Sequence, residues 1–481
     1  MTQSSVKQPS VWLSFVPVAV LTGLLFFTIR IFGSDALNGG SQMVLLLSTA
    51  VCSLIAVGHC GVKWKQIEQA ITGHITSVAM ALFLLLLIGA LSGSWMISGV
   101  VPTLIYYGIQ LIHPTVYLVS TCVICAIVSV LTGSSWTTIA TIGVALVGIG
   151  QALGFHPGWI AGAIISGAYF GDKVSPLSDT TVLASSVSDT PIFTHIRYLM
   201  ITTIPSITLS LMIFLVAGFL CETSPAAEVS AYALSIENTF WLSPWLLVVP
   251  LVTGILIYRR LPAVITLFVA ALLGGVFAWF FQPHLLDRIA GGETPGLAAQ
   301  FKGLLITFYG TTHTETGNPE LNELVSTRGM EGMMHTIWLI LCAMSFGGSM
   351  VASGMLHSIM SVFLRFIRRT LGLVFSTVVA GLFFNIATAD QYISILLTGS
   401  MFKGIYRDKG YQGRLLSRTT EDAVTVTSPL IPWNTCGMTQ STILGVSTFT
   451  YLPYCFFNLL SPLMSIAVAA LGYKIYRRKE N

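Results

Sequence analysis

Charge is what this chain has least of. Of its 481 residues, 9% are Asp, Glu, Lys or Arg and 54% are hydrophobic, with a mean hydropathy of +0.81. A soluble domain carries about 25% charged residues. Water cannot solvate so apolar a surface, so lipid must. Alternation of apolar and polar residues with period two is missing as well, which excludes a transmembrane β-barrel. The apolar runs are continuous, as at 80–89 and 209–220. A spanning helix needs about 20 such residues, and the chain supplies many. It reads as an all-α polytopic membrane protein.

Other absences narrow the chemistry. There is no His-Glu-x-x-His, no P-loop and no dinucleotide fingerprint on a strand, so no cofactor is expected. The eight cysteines form no disulfide or zinc framework. Cys122 and Cys125 make a Cys-x-x-Cys inside an apolar run and read as small buried hydrophobes. Gly148, Gly150 and Gly154 lie in a helical apolar stretch, where small residues serve close packing. Charge this sparse offers nothing to a nucleic acid. No cleavable signal pattern is present: residues 1–10 are polar and the first apolar run continues as a spanning helix. A serine nucleophile within Gly133-Ser134-Ser135 has no positioned histidine base, so an intramembrane enzyme is not expected.

What charge there is sets orientation, because cytoplasmic loops collect Lys and Arg. The C-terminal Lys474, Arg477, Arg478 and Lys479 read as cytoplasmic, as do Lys63, Lys65, Arg259 and Arg260, the bases of 365–369 and those of 403–418. The 221–240 loop carries Glu222, Glu228 and Glu237 without a base and reads as external. The 283–333 segment, with six acids and three bases, reads the same way. Helices are expected at 12–32, 42–58, 75–93, 197–220, 241–258, 262–282, 334–353 and 451–473. Both termini then face the cytoplasm of a cell with an inner (plasma) membrane.

Two stretches about 255 residues apart resemble each other. Gly93, Ser94, Ser98 and Gly99 match Gly348, Ser349, Ser353 and Gly354, and Ser175-Pro176-Leu177 matches Ser428-Pro429-Leu430. Between these markers, Thr132-Gly133-Ser134-Ser135 interrupts one apolar run and Ala387-Thr388-Ala389-Asp390 the other. The charge argument gives the copies opposite orientation, the inverted repeat of many secondary transporters. The expected organisation is 1–74 as N-terminal scaffold helices, 75–220 as the first transport repeat, 221–333 as a linker with two helices and an external segment, and 334–481 as the inverted second repeat.

Polar backbone at membrane depth is costly unless it lines a cavity or binds something, and ionisable residues there are functional by default. Four places qualify. The polar run 132–138, with Ser134, Ser135 and Trp136, reads as the tip of a re-entrant hairpin. The run 171–181, with Asp172, Lys173, Ser175, Asp179 and Thr181, reads as a helix broken at Pro176. Thr388 and Asp390 mark the matching second tip. The run 419–435, with Glu421, Asp422, Ser428, Asn434 and Thr435, reads as a second broken helix interrupted by two prolines. Glu421 and Asp422 could instead face Arg414 and Arg418 at the cytoplasmic surface. Freed carbonyls, hydroxyls and carboxylates together suit a hard cation. A carboxylate withdrawn from water can hold either a proton or such a cation. Asp179, Asp172 and Asp390, in that order, are the expected shared acids, with Lys173 pairing Asp172 and leaving Asp179 to titrate.

The run 171–185, Gly-Asp-Lys-Val-Ser-Pro-Leu-Ser-Asp-Thr-Thr-Val-Leu-Ala-Ser, resembles the signature of the NhaC-type Na+/H+ antiporters. Residues 425–437 and 451–458 resemble further parts of that family, and the likeness extends from about Trp12 to Tyr476. The resemblance implies kinship with Na+-coupled citrate and dicarboxylate carriers. It implies hairpins, broken helices, a scaffold and a mobile transport domain, a homodimer, and Na+ and protons as cargo. Its Na+ ligands would be Ser134, Ser135, Ser175 and Thr181 in copy one, with Asp179 as an acid, and Thr388, Ser428 and Asn434 in copy two. Some relatives exchange organic acids such as malate and lactate. For a small organic anion of that kind, or an amino acid, Asn434, Thr435, Ser134, Trp136 and Lys173 would be the donors.

Overall fold

In the computed structural model, residues 8–32, 39–291, 296–364, 367 and 369–477 are described. Among them, nine helices are long and apolar enough to cross a bilayer, or up to eleven if each of two bent pairs is one span. The only β pairing among these residues is two isolated bridges, Thr312 with Thr327 and Tyr411 with Arg477. The helices hold one apolar face inward and turn large side chains outward. In Val11–Phe32, Leu21 and Leu25 are buried while Trp12, Phe26, Phe27 and Ile31 are exposed. Exposed apolar area on this scale is stable against lipid, not water.

The frame is a pair of long antiparallel helices, Trp64–Ile97 and Gly329–Ala352. Glycines let the backbones touch: a Cβ on Gly89 would stand 2.4 Å from the Gly329 carbonyl oxygen, and one on Gly348 would stand 2.8 Å from the Ile71 Cα. The helices 192–220 and 456–470 also run antiparallel, with Phe214 against Phe456 at 5.3 Å between ring centres and the Tyr198 hydroxyl donating to the Lys474 carbonyl at 2.9 Å. The members of each pair therefore point in opposite directions.

Several expected boundaries move: the helix expected at 197–220 begins at Ile192, and that expected at 451–473 is Phe456–Ala470, bent by 55° from Thr448–Tyr454. The helix expected from 75 begins at Trp64, because three amphipathic turns precede its apolar run: Ile67 is buried while Lys65, Gln66 and Glu68 are exposed. The 283–333 segment is largely helical, with Pro283–Ala290, Leu297–Tyr309 and Pro319–Val325. A Cβ on Gly93 would stand 2.1 Å from the Thr307 carbonyl oxygen, so helix 297–309 presses on the central pair. The 221–240 loop holds a helix, Ala226–Thr239, bent by 92° from Pro244–Tyr258. Arg365, Arg368, Arg478 and Lys479, used in the charge argument, lie outside the described residues.

Two segments fold into helical hairpins. Pro114–Thr132 and Ser135–Ala152 double back on each other, since the Tyr117 hydroxyl donates to the Leu146 carbonyl at 2.6 Å. Thr370–Thr388 and Gln391–Asp408 do the same, with Thr377 and Tyr406 hydroxyls 3.0 Å apart. All eight cysteines are free, and Cys122 and Cys125 are buried.

If the charge-derived orientation holds, cysteines introduced in place of Ser230 and Arg259 react with an impermeant maleimide from opposite faces of the membrane. Both positions reacting from one face would overturn it.

Candidate ion-binding site

Both hairpin tips turn on one residue in the left-handed region, Gly133 at φ 67° and Ala389 at φ 57°. What surrounds them matches atom for atom. The Thr132 hydroxyl donates to the Ser134 carbonyl at 3.1 Å and accepts from the Ser134 N–H at 3.1 Å. The Thr388 hydroxyl does the same with Asp390, at 3.1 and 3.3 Å. Ser134 then caps its helix by accepting from the Thr137 N–H, as Asp390 does from the Ile393 N–H. Asp390 thus corresponds to Ser134, not to the region of Ser135, one residue off the sequence match. The Ser98 and Ser353 markers agree too: each hydroxyl donates three residues back, and Gly99 and Gly354 follow with positive φ.

Each tip rests on a break in a neighbouring helix. The first break separates Pro157–Val174 from Asp179–Val187. A Cβ on Gly133 would stand 2.7 Å from the Leu177 Cβ and 2.9 Å from its carbonyl oxygen, so glycine is required there twice over. The Ser175 hydroxyl donates to the Val130 carbonyl at 2.9 Å. The second break runs through a π-helical turn, Glu421–Thr425, a 3-10 turn, Ser428–Leu430, and on to Thr435–Leu444. There the Ala389 carbonyl accepts from the Thr435 N–H at 2.9 Å, and the Ile386 carbonyl from the Trp433 indole at 2.9 Å.

One carboxylate lies buried at each contact. Asp172 accepts from the Ser135 N–H at 3.2 Å and from its hydroxyl at 2.7 Å. Asp390 accepts from the Ile393 N–H at 2.9 Å and the Thr435 hydroxyl at 3.2 Å. The ion pairs found among buried side chains of the described residues, Lys173–Asp422 and Arg418–Asp422, involve neither. Each acid is therefore held by neutral N–H and hydroxyl donors, with no base in ion-pair distance among the described residues. The Thr181 hydroxyl reaches the Asp172 and Lys173 carbonyls at 3.3 and 3.1 Å. Ser428 donates to Gln391 at 2.7 Å, and the Asn434 amide bonds the Asn385 carbonyl at 3.2 Å.

Three expectations change. Asp179 is exposed in the first turn of its helix, where a negative charge suits the helix dipole, while Asp172 is 6% exposed. Lys173 pairs with Asp422 instead of Asp172. Glu421, Asp422 and Arg418 are completely buried, not at a surface, and Arg414 turns to Gln412 and to the Tyr476 ring. Among the contacts joining 157–174 to 421–444 are Lys173–Asp422 and Gln440–Tyr169 at 3.4 Å, and Trp136 packs against both apolar cores.

Sequence reading missed the groups that cover the freed carbonyls of the second break. Asn385 donates to the Val424 carbonyl and Asn458 to that of Val426, each at 2.7 Å. The signal was present: an amide within an apolar helix needs a buried partner.

The model of the Na+/H+ antiporter family matches residues 167–473, a region holding both breaks and the second tip. The chain is 38% identical to the Na+/H+ antiporter NhaC of Alkalihalophilus pseudofirmus, over 88% of this chain and 89% of the relative. It is 34% identical to the malate-2H+/Na+-lactate antiporter of Bacillus subtilis, over 92% and 91% of the two chains. It is also 34% identical to the arginine/ornithine antiporter ArcD of Halobacterium salinarum, over 98% and 94%.

The tips respond differently to substitution. Gly133→Ala meets left-handed strain of about 1–2 kcal/mol together with the Leu177 clash, and lowers the melting temperature in detergent. Ala389→Gly relieves the same strain but uncovers one buried methyl, worth about 0.8 kcal/mol, and stays close to the parent. Equal losses at both positions would show that the two tips do not share this geometry.

Proposed function

The chain belongs to the Na+/H+ antiporter family, and on that premise we propose that it exchanges Na+ for protons by letting both compete for buried carboxylates at two helix breaks. The observation that carries this reading is Asp172, withdrawn from solvent, bonded to Ser135 and free of any base. An acid in that state must be neutralised by something mobile, because an unpaired buried charge is too costly. A proton or a Na+ ion completes it, and each excludes the other. Ser134, Ser135, Ser175 and Thr181 supply neutral oxygens around Asp172; Thr388, Ser428, Asn434 and Thr435 do so around Asp390. Asp179 becomes an acid on the approach to the site instead of the shared group.

The matched hydrogen bonds at the two tips and the antiparallel helix pairs support an inverted repeat. In such a repeat the two copies swap conformations and expose the site to alternate faces. In this proposal the tips are re-entrant, 75–220 and 334–481 form the transport unit, and 1–74 and 221–333 form the scaffold. The molecule lies as a homodimer in the inner membrane with both termini cytoplasmic. The alternative is Na+- or H+-coupled movement of an organic acid or amino acid, suggested by the relatives named for malate, lactate, arginine and ornithine. It loses its expected cation, since Lys173 is committed to Asp422.

In proteoliposomes, a Na+ gradient drives proton movement with no organic solute present. Asp172→Asn reduces that exchange at least tenfold, whereas Asp179→Asn retains most of it. Strict dependence on added malate, lactate or amino acid would replace this reading with the alternative.

A further inference from the structure

Lys173 follows Asp172 in the chain, yet its ammonium does not serve that acid. It bonds Asp422 and reaches the Ser461 hydroxyl at 3.5 Å, with the Phe457 ring 5.4 Å away. Lys173 and Asp422 are both fully buried. Asp422 is itself fixed from two further sides: the Thr202 hydroxyl donates to the same oxygen at 3.1 Å, and the Arg418 guanidinium stands 4.0 Å from the other. Arg418 lies over the Tyr198 ring at 4.7 Å. The π-helical turn at 421–425 belongs to copy two and Lys173 to copy one, so the pair spans the halves.

A fixed ammonium is the one competitor a cation site cannot tolerate. It carries the charge of Na+, and its tether gives it a high effective concentration at any acid within reach. Left without a partner in this interior, Lys173 would be driven toward a carboxylate, since an uncompensated buried charge is strongly unfavourable. The buried acids at hand are Asp172, next to it in the chain, and Glu421, next to Asp422.

We propose that Asp422 is a positioning residue that holds Lys173 away from Asp172 and so keeps the Na+ site open. The proposal rests on the assignment of Na+ to Asp172. Asp422 touches no transported ion; it acts through Lys173, and its loss strikes affinity before turnover.

The experiment measures 22Na+ binding to the purified full-length protein in detergent, alongside Na+-driven proton flux in proteoliposomes. Asp422→Asn raises the Na+ concentration for half-saturation at least tenfold, with a smaller change in maximal rate. Lys173→Met combined with Asp422→Asn recovers binding to within about threefold of the parent, because the competitor has gone. Unchanged Na+ affinity in Asp422→Asn would show that Lys173 is accommodated elsewhere, for instance at Glu421, and overturns the proposal. A double variant as weak as the single one overturns it as well. Should Asp422→Asn fail to fold, Lys173→Met alone and the double variant decide: both bind Na+, and loss of binding in either is fatal. If the parent protein bound Na+ but Asp172→Asn bound it equally well, the underlying assignment of the site would fall, a result separable from these.

Discussion

Everything in this molecule depends on one constraint: a backbone group freed inside an apolar interior must find a partner. Helices satisfy that rule by themselves, and most of the chain is continuous helix. At two hairpin tips and two breaks the ladder stops, leaving carbonyls and N–H groups that lipid cannot satisfy. The structure answers by setting each tip against a break. Thr435 covers Ala389, Trp433 covers Ile386, Ser175 covers Val130, and Asn385 and Asn458 cover Val424 and Val426. The oxygens that remain, with one carboxylate each, are what a hard cation requires. On the proposed reading, the ion site is a by-product of repairing interrupted helices, and its position follows from theirs.

The two tips and their breaks are alike in hydrogen bonding and unlike in charge. In the first the acid is on the broken helix, at Asp172, and the tip offers Ser134 and Ser135. In the second the acid is at the tip, at Asp390, and the break offers Ser428, Asn434 and Thr435. A repeat that kept both acids in the same place would have two equal sites. Here the hydrogen-bonding frame is duplicated while the carboxylates differ in their supports, so on the proposed reading the two sites would favour a cation differently.

The helical class and both interruptions were legible in the sequence, because apolar runs and prolines act locally. So were the two tips, although only the first, at Gly133, was read down to the residue that turns. What was not legible depended on contacts between distant segments. Asp179 and Asp172 look equivalent in the run 171–181, and only packing decides that one faces outward and the other Ser135. Lys173 has an acid beside it in the chain, and chain adjacency suggested that pair. The real partner, Asp422, comes from the other copy, and no local pattern could supply it. The helices within 283–333 were hidden for another reason: their apolar faces are short, and six acids dominated the reading of that stretch.

Because Ser135 and Asp172 belong to one copy and Asp390 and Thr435 to the other, each cradle is assembled wholly from its own half. In the proposed transport unit, which holds both cradles, each ion would travel with its ligand shell intact. Lys173 with Asp422 and Gln440 with Tyr169 tie the two cradles to each other. Cradle and tie use different side chains, so on the proposed reading either can change while the other keeps its geometry.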